Sequence, residues 1–143
     1  MSVKDILAAK GHEVYSVVNT VKLRDGIKVL NSKNIGVVLI TDQAGSLVGI
    51  LSERDIIRRS LAQETGFRDE PITKSMTDKI KTVSSAASID DVMEIMTSSR
   101  IRHIPVIDDG QISGLISIGD VVKRKIAQAE NEAATLRDYI SAV

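Results

Sequence analysis

The sequence predicts an α/β (α+β) chain of two β-α-β-β-α repeats packed about a pseudo-twofold axis, with an extended C-terminal helix. Three observations carry this. The stretch GILSERD, residues 49–55, returns as GLISIGD, residues 114–120. Around each copy, apolar residues alternate between strand-like runs and helical spacing. After the second copy the helical spacing continues to the end of the chain.

The repeat is extensive. Laying residues 45–59 over 110–124 gives the identities Gly45/Gly110, Gly49/Gly114, Ser52/Ser117, Asp55/Asp120 and Arg59/Arg124. With one residue dropped from the second turn, Ile35 falls on Ile101, Ile40 on Val106, Asp42 on Asp108, Leu23 on Ile89 and Val17 on Val83. Matches that hold register across strands, a turn and a helix mark two copies of one supersecondary unit.

Each element follows in order. A short strand (residues 14–18, then 82–83) precedes a helix with apolar positions at 23, 27 and 30, or at 89, 92, 93 and 96. A buried strand comes next, IGVVLI or RHIPVI, then a turn, TDQAG or DDG. The third strand is SLVGILS or QISGLIS, and the second helix starts at Ser52 or Ser117. One unit of about fifty residues buries too little surface to be stable alone, so the two share one body with a cleft between equivalent elements. The reading places the first repeat at residues 10–62, a linker at 63–74 broken by Gly66 and Pro71, the second repeat at 75–127 and the helical extension at 128–143.

Composition narrows the function. The chain has 143 residues, 43% of them hydrophobic, enough for a real interior. Nineteen basic and nineteen acidic residues leave no net charge, and the aromatics are only Tyr15, Tyr139 and Phe67. Both facts argue against a nucleic-acid partner, which calls for a basic surplus or stacking platforms. No cysteine is present, which removes disulfides, thiolate catalysis and cysteine metal sites. The amino terminus shows no signal-peptide core, and the apolar run 37–40 is far too short to span a bilayer. The expectation is a cytoplasmic protein with no membrane role.

Ser-x-x-Asp at a helix start has two readings. It is a capping box, in which serine and carboxylate satisfy free amides of the first turn; Ser2-x-x-Asp5 fits that reading alone. It is also a ligand site: each serine ends a strand after a glycine, and a helix amino terminus at a strand end attracts anions. An aspartate one turn in accepts hydrogen bonds from two neighbouring hydroxyls, which a ribose offers. For a phosphate, Arg100 and Arg102 alternate along the predicted strand start and share a face, with His103 on the other.

The doubled glycine, two apolar residues, serine, two variable residues, aspartate pattern, with RIRHIPVID and the KSMT lead-in at residues 74–77, resembles tandem CBS domains, named after cystathionine beta-synthase. The likeness covers about residues 3 to 127. It implies a regulatory sensor that binds adenine nucleotides (AMP, ATP or NAD(H)) in the cleft and modulates an unknown regulated protein, with no catalytic cofactor. It implies that Ser52 and Asp55 hold a ribose while Arg102 and His103 reach its phosphate. It further implies a second pocket of Ser117, Asp120, Val18, Asn19, Gly36 and Val37, with Ile50 and Leu115 near the bases. Arg54 matches Gly119, and Gly36 and Val37 stand where the second copy has Arg102 and His103. The Ser52–Asp55 pocket is therefore expected to favour the more highly charged ligand.

An enzyme is not indicated. The only histidines are His12 and His103, and no P-loop, HExxH motif, paired carboxylates or nucleophile elbow occurs. In the tail, Val122, Ile126, Ala129, Ala133, Leu136 and Ile140 form a heptad-like seam. It fits a helix lying back on its own domain or a contact between subunits; the family resemblance favours a homodimer. The alternative to a nucleotide sensor is a ligand-free dimeric scaffold in which both boxes are only caps.

Overall fold

In a computed structural model, which describes residues 1–142, helix α1 (Val3–Lys10) precedes the two predicted repeats. The first repeat is β1 (Ser16–Val18), α2 (Leu23–Lys33), β2 (Val37–Thr41), β3 (Leu47–Ser52) and α3 (Glu53–Ala62). Two 3₁₀ turns, Phe67–Asp69 and Ile72–Lys74, lead to α4 (Ile89–Ser99), β4 (His103–Asp108), β5 (Gln111–Ser117) and α5 (Ile118–Ser141). Val143, the last residue of the predicted extension, lies outside the described residues.

Strand β2 runs parallel to β1 (Val17 opposite Ile40) and antiparallel to β3 (Val37 opposite Ser52). In the second copy β4 and β5 pair antiparallel, with His103 opposite Ser117. Both hairpins shift register at equivalent places, Ile40/Thr41 and Val106/Ile107. The predicted strand at 82–83 is reduced to a single parallel bridge, Val83 to Val106. Pro105 accounts for this. Its counterpart Leu39 donates its amide to the Tyr15 carbonyl at 3.0 Å, and proline has no N–H to give.

The turns follow their residues. In the first hairpin Asp42 Oδ1 accepts from the amides of Ala44 and Ser46 at 3.0 and 2.9 Å, and Gly45 takes a φ of 88°. In the second, Asp109 and Gly110 have φ of 50° and 74°, the two positive values that a tight primed hairpin turn needs.

Two cores form, and the segment ahead of each repeat completes the core of the other. Val3, Ile6 and Leu7 of α1 join Ile89, Val92, Met96, Ile104, Val106, Ile116 and Val121 in the second copy. Ile72 and Phe67 of the linker join Leu23, Leu30, Val38, Ile40 and Leu51 in the first. The backbone repeats the arrangement: Ser2 bridges Ser88, and Pro71 bridges Lys22, the residues that begin α4 and α2. These crossings bring the strand ends carrying Ser52 and Ser117 against the two lead-in segments.

Candidate functional site

Both boxes form. Ser52 Oγ accepts from the Asp55 amide at 3.3 Å, and Asp55 Oδ2 accepts from the Ser52 amide at 2.8 Å. Ser117 Oγ accepts from the Asp120 amide at 3.2 Å, and Asp120 Oδ2 accepts from the Ser117 amide at 2.8 Å. Capping is therefore part of what these residues do, and each box satisfies free amides at the start of its helix. The expected cap at Ser2 is present too, its amide donating to Asp5 Oδ2 at 2.9 Å.

The two aspartates differ in what else reaches them. Asp55 is buried, and its Oδ1 accepts from Thr77 Oγ1 at 2.9 Å. Thr77 sits there because its amide and carbonyl exchange two 2.9 Å bonds with Ile50 on β3. A cavity of about 340 Å³ opens beside this carboxylate, lined by Asp55, Arg58, Arg59, Lys74, Ser75 and Thr77 among others. Arg59 and Lys74 both pair with Glu70, while Arg58 has no acidic partner among the described residues. The Arg59 guanidinium holds the Glu70 carboxyl below its ordinary range. The Ser75 hydroxyl is buried with no hydrogen-bond partner among the described residues.

At the other end, Lys10 takes the place of the threonine. Its Nζ donates to Asp120 Oδ2 at 2.7 Å and to the Leu115 carbonyl at 2.9 Å. Burial pushes the Asp120 carboxyl up, but the Lys10 ammonium and the Ser117 amide more than offset it, and the net shift is downward. His103 stands opposite Ser117 and is half-buried. Burial lowers its pKa first, the Lys10 and Arg102 charges lower it further, and Asp120 opposes them.

The remaining expected residues fall around these ends. Val37 stands opposite Ser52, and the Gly36 carbonyl accepts from the first amide of α3, Glu53, at 3.1 Å. The Arg102 carbonyl makes the same bond to Ile118 at 2.8 Å. Strand pairing thus sets Gly36 and Val37 beside Ser52, and Arg102 and His103 beside Ser117, each within its own copy. No hydrogen bond or ion pair among the described residues joins Arg102 or His103 to Asp55. Val18 ends β1, and the Asn19 amide donates to the Thr41 carbonyl at 2.8 Å. Arg54 is exposed on the first turn of α3.

The alternation expected of Arg100 and Arg102 does not occur, because β4 begins only at His103. Arg100 instead caps α4 in the left-handed region (φ 55°), where its counterpart Asn34 caps α2 (φ 53°). Lys10, Arg58, Arg59, Lys74 and Thr77 were not singled out as ligand contacts by the sequence. Aligning the lead-ins, VKDIL over ITKSM, sets Leu7 on Met76 and points to the segments that supply Lys10 and Thr77.

A larger hollow of about 500 Å³ lies between Met1 and the outer half of α5, at Gln128, Asn131, Glu132, Thr135, Leu136 and Tyr139. It shares no residue with the Ser52–Asp55 or Ser117–Asp120 box.

Fold and site together define a two-repeat module with one helix-capping carboxylate at the strand–helix junction of each repeat. The CBS domain model matches residues 3–62 and 71–126, and the chain belongs to that family. As a tandem CBS pair it is a regulatory module and not a catalyst. It is 33% identical over 120 residues to the mitochondrial CBS domain-containing protein CBSX3 of Arabidopsis thaliana, covering 81% of this chain and 58% of that one. Among solved structures, the CBS-domain containing protein ATU1752 of Agrobacterium tumefaciens matches with a TM-score of 0.84 and 36% identity, over 87% of this chain and 99% of that one. The CBS domain pair of protein MJ0100, in complex with 5′-methylthioadenosine and S-adenosyl-L-methionine, matches with a TM-score of 0.77 and 27% identity, over 90% and 98%.

Proposed function

We propose that this chain senses an adenine nucleotide (AMP, ATP or NAD(H)) and reports its level to a partner protein through a homodimer. The observation that carries the reading is the cavity beside Asp55. A carboxylate that already accepts two side-chain hydroxyls, from Ser52 and Thr77, stands on a lining with three cations, Arg58, Arg59 and Lys74. Vicinal sugar hydroxyls replace the hydroxyls of the protein without loss of hydrogen bonds. The cations suit a phosphate attached to the same sugar. Arg58, Arg59 and Lys74, from α3 and the linker, support the expectation that this pocket takes the more highly charged ligand. Adenosine is also the common part of the two ligands named with MJ0100, which supports the nucleoside half of the reading.

The scaffold alternative has one observation in its favour, since both boxes do close as caps. Titration calorimetry with AMP, ATP and NAD separates the two on wild type and Asp55→Asn, which keeps side-chain shape and most cap bonds. The sensor reading expects saturable binding, weakened at least tenfold in the variant. Silence from all three ligands, with melting temperature unmoved by excess nucleotide, would leave the scaffold.

A further inference from the structure

Each carboxylate is met by a side chain from the lead-in segment that crosses to it, and the two side chains differ in kind. At Asp55 it is a neutral hydroxyl, Thr77 Oγ1 at 2.9 Å. At Asp120 it is an ammonium, Lys10 Nζ at 2.7 Å, which also holds the Leu115 carbonyl at 2.9 Å. Lys10 thus binds the sugar carboxylate of the second pocket and the backbone of its base-side residue together. The lysine is well positioned. It is the last residue of α1, whose Val3, Ile6 and Leu7 are buried in the second core. Beyond it, His12 Nδ1 lies 2.8 Å from the Ser113 carbonyl, so residues 10 and 12 are both pinned to β5.

We propose that Lys10 is the resident occupant of the Ser117–Asp120 sugar subsite, so that a nucleoside enters there only by displacing it. The proposal rests on the nucleotide reading above. The chemistry of exchange differs between the subsites. A ribose hydroxyl replaces Thr77 like for like, whereas at Asp120 it must break an ion pair whose side chains are only 36% and 22% exposed. A neutral nucleoside offers the freed ammonium nothing. A nucleotide offers it a phosphate, so Lys10 makes the second subsite selective for anionic ligands and leaves the first as the ordinary point of entry. It also ties occupancy of that subsite to α1: a ligand that displaces Lys10 loosens the end of the helix that crosses between the copies.

Adenosine and AMP, titrated calorimetrically into wild type, Asp120→Asn, Lys10→Met and the double variant Lys10→Met/Asp120→Asn, test this. Methionine keeps the length and helix preference of the lysine stem, and Lys10→Gln is a second variant should Lys10→Met fold poorly. The expected result is one adenosine site per wild-type chain, unaffected by Asp120→Asn. Lys10→Met should gain a second site, tightened at least tenfold over wild type and lost again in the double variant. If wild-type binding is confined to Asp55 and Lys10→Met adds nothing, the plug is wrong and the nucleotide reading stands. If wild type already binds adenosine through Asp120, the plug is equally overturned. A site that appears only in Lys10→Met would uphold the plug and count against an open pocket at Asp55. No binding by any variant would overturn both.

Discussion

Asp55 and Asp120 are the same residue of the same motif, and the sequence shows as much. What it does not show is the third group on each carboxylate, because Thr77 and Lys10 arrive from segments distant in the chain. The same limit applies to Arg100 and Arg102: their spacing suggested a strand face, but a left-handed helix cap fell on Arg100 and moved the strand start. His103 was singled out by the sequence, and its surroundings give it a pH signature. Its pKa lies below the ordinary 6.5, so between the two values the unfolded chain binds the proton and the folded chain does not. Stability should then be complete above about pH 6.5 and fall as pH drops toward the folded value. The lowered carboxylates act only below about 4.5, the ordinary glutamate value. Urea unfolding of wild type and His103→Gln between pH 5 and 8 checks this. The wild-type midpoint should decline on the acid side, and the variant should stay flat. A wild-type midpoint level across that range would rule the assignment out.

At the scale of elements, the strand–helix–strand–strand–helix order was readable because hydrophobic period and turn residues are local signals. The crossing of the lead-ins was not, since apolar positions 3, 6 and 7 say that α1 has a buried face and not which core receives it. Gly49 and Gly114 show the consequence. As sequence they were glycines before a serine, fit for close approach by backbone or ligand; in the fold, Met76 and Leu7 of the two lead-ins lie over them. A Cβ on Gly114 would stand 2.6 Å from Leu7 Cδ2, and Leu7 is fully buried among residues of α4, β4 and β5. On Gly49 the nearest atom is the Met76 sulfur, on an unbranched and partly exposed side chain that can swing aside. Gly114→Ala should therefore cost about 1–3 kcal/mol from overpacking, and Gly49→Ala distinctly less. Denaturant midpoints of the two variants decide it; equal losses would mean that the glycines serve the strands themselves and not the segments above them.

Across the whole molecule, the pseudo-twofold axis gives the two second helices equivalent outer faces, and both are apolar. Ile57 and Leu61 on α3 are 60% and 80% exposed, and their counterparts Val122 and Ile126 on α5 are 47% and 54% exposed. Farther along, Leu136 and Ile140 of the predicted seam are exposed as well, so the outer half of α5 does not bury its seam against its own repeat. The seam was legible in the sequence; its direction was not, because a heptad pattern fits an internal or an external partner equally. Two like faces related by an internal twofold are self-complementary, which is what an isologous dimer requires, and a chain with no net charge offers no repulsion against it. The expected solution mass is twice the 15.5 kDa of the chain. Leu61→Glu combined with Ile126→Glu would bury unpaired carboxylates in that contact, at about 3 kcal/mol or more, and weaken association more than a hundredfold. Sedimentation should then find the chain mass at micromolar concentration, with the far-UV spectrum unchanged because both side chains are exposed in the protomer. A wild type that sediments as a monomer would move the apolar face to the regulated partner, and nucleotide binding would have to be read out within one chain, through α1 and the linker that already join its two halves.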